Sequence, residues 1–486
     1  MHPAGEFGIN PSIVFFGVAN LLYTMHEMSH AALTPWQMWA SMNASIFSHP
    51  FSPLSYSPLS RKIAAGSELF VRVTQRYQKP EFGISEVLIG GKAVAVSEAV
   101  AVDKPFCKLL HFSRDPGTHR VSRTRHADPK VLLVAPLSGH HATLLRDTLR
   151  TLLLDHDVYI TDWVDARMVS LFHGAFHLDD YVDYVREFIT FLGPEVHVIS
   201  VCQPTVPVLA AISLMADEGA PVKPRTMIMM GGPIDARRSP TAVNNLATRK
   251  PHSWFKSNVI QRVPAKYPGF MRQVYPGFLQ HLGFVAMNPS RHADAHRDFY
   301  NHLIEGDGSS AGAHRRFYDE YNAVLDMDAD YYLETIRVVF QDFALVSGTW
   351  EVKDPKGKLE LVKPQDIKTT ALMSVEGELD DISGSGQTRA VHDICSGVPS
   401  DRQTHFEVQG AGHYGIFSGR RWREHVYPKV KAFILANNTI EGANAAAKPD
   451  LLSAVKKSAP KTAKVPVKQA RAATKKVAPR RSTSSK

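Results

Sequence analysis

The chain sets a cysteine at a corner. The apolar run VHVISV (196–201) ends at Cys202, and Gln203 and Pro204 lead into a second apolar run, TVPVLAAISLM (205–215). A cysteine attacks carbonyls as its thiolate, so it needs a base within reach and hydrogen-bond donors for the oxyanion it creates. Two later stretches offer the partners. VEGELDDISGSG (375–386) presents the adjacent acids Asp380 and Asp381, and VQGAGHYGIF (408–417) presents His413 between glycines. Each candidate follows a strand-like run, in the order nucleophile, acid, histidine.

These residue types divide the chemistry between them. Cys202 would attack an ester carbonyl, His413 would take the thiol proton and later activate water, and Asp380 would fix the imidazole tautomer. The backbone N–H of Gln203, and a second one near Leu137 and Ser138 after the run VLLVAP (131–136), are the expected oxyanion donors. Ser200 and Pro204 stand where such a nucleophile turn usually has glycines. Singly, a cysteine at a strand end reads equally as a small core residue, and an aspartate as a turn residue. The three together, at three strand ends, read as one site.

Several elements are needed to hold them. VLLVAP, DVYITDW (157–163) and VHVISV are each followed by a helical pattern, which predicts a parallel sheet with helices on both faces. SEVLIGGKAVAVSE predicts a hairpin turning at Gly90–Gly91, with another strand at about 107–112. The sheet rhythm stops between about 235 and 348, in a stretch rich in aromatics such as Trp254, Phe255, Tyr275 and Phe284, and resumes at Thr370. This layout predicts an α/β-hydrolase fold with a mostly parallel sheet, an N-terminal helical extension and a cap insertion. The expected division is an extension at 1–20, a helical region at 21–85, a first core part at 86–234, the cap at 235–348, a second core part at 349–440 and a tail at 441–486. The prolines of SHPFSPLSYSPLS (48–60) predict an extended surface run between the N-terminal helices.

The chain has 486 residues and three cysteines, too few for a disulfide framework, which favours a reducing compartment and excludes a disulfide-stapled secreted domain. INPSIVFFGVANLLY (9–23) lacks the flanks of a signal peptide and is shorter than the roughly 20 apolar residues of a spanning helix. No membrane span and a cytoplasmic location are therefore expected. The net charge of +9 is carried at one end: from Ala443 onward twelve basic residues face one acid, Asp450, with no aromatic residue. Such a tail is expected to be disordered, and either a solubilising appendage or a non-specific tether to DNA or another anionic surface. HEMSH (26–30) satisfies the H-E-x-x-H zinc pattern, but no third ligand follows, so it reads as a helix face. The His140–His141 pair reads as part of the oxyanion loop. No metal and no cofactor are expected.

VLLVAPLSGHHATLLRDTLRTLL, DVYITDWVDARMV, VISVCQPTVPVLAA, MGGPIDARRSPTAVN, EGELDDISGSGQTRA and GAGHYGIFSGRRWR together resemble the intracellular poly(3-hydroxybutyrate) depolymerases of storage-granule bacteria, relatives of the polyhydroxyalkanoate synthases. The resemblance runs from about Leu22 to Leu435. It implies a nucleophile at Cys202, a histidine at His413, an acid at Asp380, and poly(3-hydroxybutyrate) granules as the partner. It also leaves three readings: a hydrolase, an acyltransferase using coenzyme A, and a non-catalytic granule scaffold.

Overall fold

The computed structural model describes residues 21–49, 51–115 and 128–438. The expected extension at 1–20 and the basic tail at 441–486 lie outside the described residues.

Two helices open the described chain, α1 (Leu21–Ser48) and α2 (Pro58–Thr74). The link between them is not the extended run expected from its prolines. It forms a 3-10 turn at Pro53–Tyr56, and α2 begins at Pro58, where a proline's missing N–H costs no helical bond. The Ser57 hydroxyl caps the new helix by accepting from the Ser60 N–H.

Nine strands then form one sheet: β1 (Glu86–Ile89), β2 (Lys92–Asp103), β3 (Cys107–Arg114), β4 (Lys130–Val134), β5 (Asp157–Trp163), β6 (Val196–Val201), β7 (Thr226–Met230), β8 (Ala371–Gly377) and β9 (Gln403–Val408). Their order across the sheet is β1-β2-β3-β5-β4-β6-β7-β8-β9. β1, β2 and β3 pair antiparallel, β3 joins β5 antiparallel, and every pair from β5 to β9 is parallel. The central strands read as continuous apolar runs because both their faces are covered. Alternate residues divide between two core layers. Leu132, Val134 and Val198 pack with α4 (Leu178–Leu192) and α5 (Thr205–Asp217), whereas Val131, Leu133 and Val201 pack with α3 (Arg146–Leu152) and with α8 (Tyr427–Ala436), the last described helix.

Between β7 and β8 the chain leaves the sheet. Among its helices are α6 (Gly277–Met287) and α7 (Ala329–Thr335), beside a small three-stranded sheet of Gln261–Arg262, Gln273–Tyr275 and Met327–Asp328. The aromatics expected there split in role. Phe255 is buried in a separate cap core with Ile260 and Leu333, whereas Phe284 stacks on His140 with ring centroids 4.9 Å apart. Arg272 is buried and fully engaged: it pairs with Asp328 at 2.8 Å and donates to the carbonyls of Val169, Ser170 and Gly174, fastening the insertion to the loop after β5.

The N-terminal helices pack on this insertion. Glu27 pairs with Arg76 and Lys266, Arg72 with Asp319, and Glu68 with Arg315, while the Tyr23 hydroxyl donates to Asp326 at 2.6 Å. Behind that last contact lies Asp165, paired with Arg167 at 2.8 Å. Burial, reinforced by the neighbouring Asp326 carboxylate, pushes Asp165 well above the usual carboxylate range. Unfolding returns an aspartate to about 3.9. The folded chain therefore holds this proton more tightly, and the associated stability is lost as pH rises above the ordinary aspartate value and through the raised folded one. The thermal midpoint is expected to be higher at about pH 6 than at about pH 8, and Asp165→Asn to flatten that slope. An unchanged slope in the variant contradicts the assignment.

Candidate active site

Cys202 follows the buried strand β6 and has a φ of 69°, in the left-handed region that L residues rarely adopt. Holding a non-glycine residue there costs on the order of 1–3 kcal/mol and persists only where the surroundings enforce it. The enforcement is visible. The Cys202 N–H donates to the Met230 carbonyl at 2.7 Å, its own carbonyl accepts from the Thr205 N–H at 3.1 Å, and α5 begins at once behind it. This is a sharp strand-to-helix turn that lifts the thiol off the sheet.

The glycines absent from positions 200 and 204 are replaced by space on the neighbouring strand. A Cβ on Gly232, just past β7, would sit 1.8 Å from Thr205 Oγ1 and 2.6 Å from the Cys202 carbonyl. At Gly231, with φ of 57°, it would sit 2.7 Å from Ile416 Cδ1 and 3.2 Å from His413 Cε1. Gly231 and Gly232 thus let the turn and the histidine loop close on each other. Sequence reading looked for small residues beside the cysteine and missed these two, which come from another strand.

His413 opens a 3-10 turn after β9, and its Nδ1 lies 2.7 Å from Asp380 Oδ2, with both side chains almost fully buried. Asp380 stands three residues past β8, and its other oxygen accepts from the N–H groups of Ile382 and Ser383. Asp381, by contrast, is exposed. With Nδ1 turned to the carboxylate, the other face of the imidazole meets Cys202 as a hydrogen-bond partner. Burial opposes a charge on His413, but the facing Cys202 and Asp380 outweigh it and hold the imidazole well above its ordinary value. The other two cysteines are sealed in the core, and burial raises both, Cys395 to about 12. Of the three, only Cys202 reaches a surface.

The expected oxyanion donors sit around the same point. Gln203 follows Cys202, and Leu137 and Ser138 lie in the loop after β4. Among the described residues, no backbone carbonyl accepts from the N–H of Gln203, Leu137 or Ser138. One further residue was not singled out from sequence. Tyr331 of α7 shares its buried hydroxyl proton between the Leu137 carbonyl at 3.1 Å and Gln203 Oε1 at 2.8 Å. In a trans peptide the N–H points opposite to the C=O. The bond to the Leu137 carbonyl therefore aims the Ser138 N–H away from Tyr331 and polarises it. The same bond fixes the Gln203 amide, whose Nε2 is buried with no protein partner. Nothing in the local pattern around Tyr331 signals this, because its partners lie 128 and 194 residues away.

The histidine motifs do other work. His140 Nε2 meets the Tyr321 carbonyl at 3.2 Å, and burial lowers His140 to about 4 and His141 to about 3, so both are neutral near pH 7. His26 stacks on Phe278, and Glu27 is held by Arg76, Lys266 and Tyr267, which removes it from any role as a base. His26, Glu27, Arg76 and Phe278 border a cavity of about 350 Å³ between the N-terminal helices and the insertion, and none of Cys202, Asp380 and His413 lines it.

The strand order from β2 to β9, the crossover helices and the turn at Cys202 define an α/β-hydrolase. Residues 231–438 match the family model described as PHB de-polymerase C-terminus. The matched segment includes Asp380 and His413 and begins after Cys202. Solved structures with a related course of the chain include 2-hydroxy-6-oxo-6-phenylhexa-2,4-dienoate hydrolase from Rhodococcus sp. strain RHA1, with 11% identity and a TM-score of 0.39 over 70% of this chain and 99% of that one. A thermophilic esterase from Thermogutta terrifontis has 11% identity and a TM-score of 0.36 over 73% and 98% of the two chains. A monoacylglycerol lipase from Paleococcus ferrophilus has 12% and 0.36 over 63% and 94%. No curated protein matches the sequence. Among the described residues, no helix is long and apolar enough to cross a membrane.

Proposed function

We propose that this chain hydrolyses the ester bonds of stored poly(3-hydroxybutyrate) through an acyl-cysteine intermediate. The observation that carries the reading is the line from Cys202, strained on its turn, through His413 to Asp380. The Cys202 thiolate adds to the ester carbonyl, and the oxyanion is held by the N–H of Gln203 and by an N–H of the Leu137–Ser138 loop. The C–O bond to the alcohol breaks, and the His413 imidazolium protonates the departing oxygen. Neutral His413 then takes a proton from water, the hydroxide adds to the thioester, and the thiolate leaves with a free hydroxyacid end. Asp380 keeps the proton of His413 on Nδ1 throughout and stabilises each imidazolium.

Coenzyme A could replace water in the second half, since a thioester passes its acyl group to a thiol with little change in bond energy. The family match supports the polymer as substrate, and hydrolysis is the reading adopted. The test is incubation of the pure protein with amorphous granules, with and without coenzyme A. Free 3-hydroxybutyrate or its oligomers in both arms supports it; products only as coenzyme A thioesters contradict it.

Tyr331 is read as a positioning residue for the oxyanion donors. Tyr331→Phe removes the hydroxyl shared between these two buried acceptors, with about 0.5–1.5 kcal/mol typical of a single hydrogen bond, and is expected to lower kcat about tenfold with KM nearly unchanged. A raised KM at unchanged kcat would assign Tyr331 to ground-state binding instead.

A further inference from the structure

α1 shows water a face that nothing in the described chain covers. Met25, Met28, Trp36, Trp39, Met42 and Ile46 recur at intervals of three, eight, three, three and four residues, which places them on one stripe of a helix, with Ala32 in the longer gap. Met28, Trp36 and Trp39 are 66%, 61% and 59% exposed. The stripe is about 30 Å long at 1.5 Å per residue. An exposed apolar band of this size marks an interaction surface.

Charge narrows the occupant. Of the 28 residues of α1 only Glu27 is an Asp, Glu, Lys or Arg, and it is turned inward onto Arg76 and Lys266. An anionic lipid surface calls for Lys or Arg beside the apolar face, and a coiled-coil partner for charges flanking the seam; α1 offers neither. Pro35 also lies within the helix, where it has no N–H to give to the carbonyl one turn back. A neutral stripe of thioethers and indoles suits a neutral apolar solid: sulfur chains adapt to an irregular surface, and indole N–H groups can donate to ester carbonyls.

The stripe also lies one helix away from the chemistry. His26, on the inward side of α1, stacks on Phe278 of α6 with centroids 4.1 Å apart. On the same α6, Gln280 and Phe284 crowd Gly139, where a Cβ would stand 2.6 and 3.2 Å from them, in the loop that carries Leu137 and Ser138. We propose that the exposed face of α1 is the surface by which the protein adsorbs to solid, neutral polyester, bringing the neighbouring α6 and the oxyanion loop to the polymer. The proposal rests on the functional reading above for the identity of the solid.

The test compares full-length protein with Trp36→Glu/Trp39→Glu and Trp36→Lys/Trp39→Lys, measuring co-sedimentation with amorphous poly(3-hydroxybutyrate) granules, binding to neutral and anionic phospholipid vesicles, oligomeric state, and hydrolysis of a soluble short-chain ester. Both variants are expected to lose granule binding at least about tenfold, equivalent to about 1.4 kcal/mol, while keeping the oligomeric state and the soluble-ester rate. Granule binding equal to that of the parent overturns the proposal. So does binding of the parent to vesicles as tightly as to granules, or dissociation of an oligomer in both variants, which would make the face a contact between copies. Failure of the parent to cleave either ester would instead overturn the functional reading, which the sedimentation arm does not measure.

Discussion

Replacing Cys202 with alanine is expected to lower ester cleavage by at least about 10⁴-fold without unfolding the protein, since removing the nucleophile of such a constellation leaves only binding and oxyanion stabilisation. The side chain is half-buried and packs only against the edge of one core layer, and the strained φ of 69° belongs to the backbone, which alanine retains. Granule adsorption, assigned to α1, should be untouched. Cys202→Ser separates thiolate chemistry from position: a hydroxyl depends far more on its base, and a large loss is expected there too. A serine variant near parental activity would mean that His413 works as an ordinary general base and that no thiolate–imidazolium pair forms.

The second large effect lies in the adjacent acids. Asp380→Asn is expected to reduce kcat by about 10³–10⁴-fold, because an amide in place of the Oδ2 carboxylate at 2.7 Å from His413 Nδ1 stabilises the wrong tautomer and no imidazolium. Asp381→Asn should stay within about threefold, as expected of an exposed residue away from such features. Steady-state rates on a soluble ester decide it. Similar losses in the two variants contradict the assignment of the acid. Because the asparagine at 380 still accepts from the Ile382 and Ser383 N–H groups, the turn should survive the substitution.

What could be seen in the sequence followed from local rules. The parallel strands were legible because a strand covered on both faces must be apolar throughout, as in VHVISV and VLLVAP, and because each is followed by a helical pattern. Cys202, Asp380 and His413 could be proposed because such side chains follow strand ends in a fixed chain order. Which of the two acids faces the histidine depends on how the turn at Gly377–Asp380 is wound, and the choice of Asp380 came from a family pattern rather than from any physical signal. Tyr331, Gly231 and Gly232 were illegible for another reason: each acts on residues brought close only by the folded sheet and the insertion. The link at 48–60 was misread because proline was treated as a helix breaker, when at a first helical turn it is compatible with a start. The stripe on α1 was hidden for the opposite reason. Its Met and Trp residues recur at helical spacing, and only the packing shows which side of the helix is covered.

The central claim is a covalent bond between the substrate's acyl group and Cys202. It is tested most directly by mixing the protein with an activated 3-hydroxybutyryl ester, quenching in acid within the first turnovers, and locating the adduct by peptide mass spectrometry. The account predicts one hydroxybutyryl unit on the peptide containing Cys202, labile to hydroxylamine as a thioester is, and no adduct in Cys202→Ala. An adduct on another residue, or full turnover with no trapped acyl-enzyme and an unimpaired Cys202→Ala variant, would contradict it.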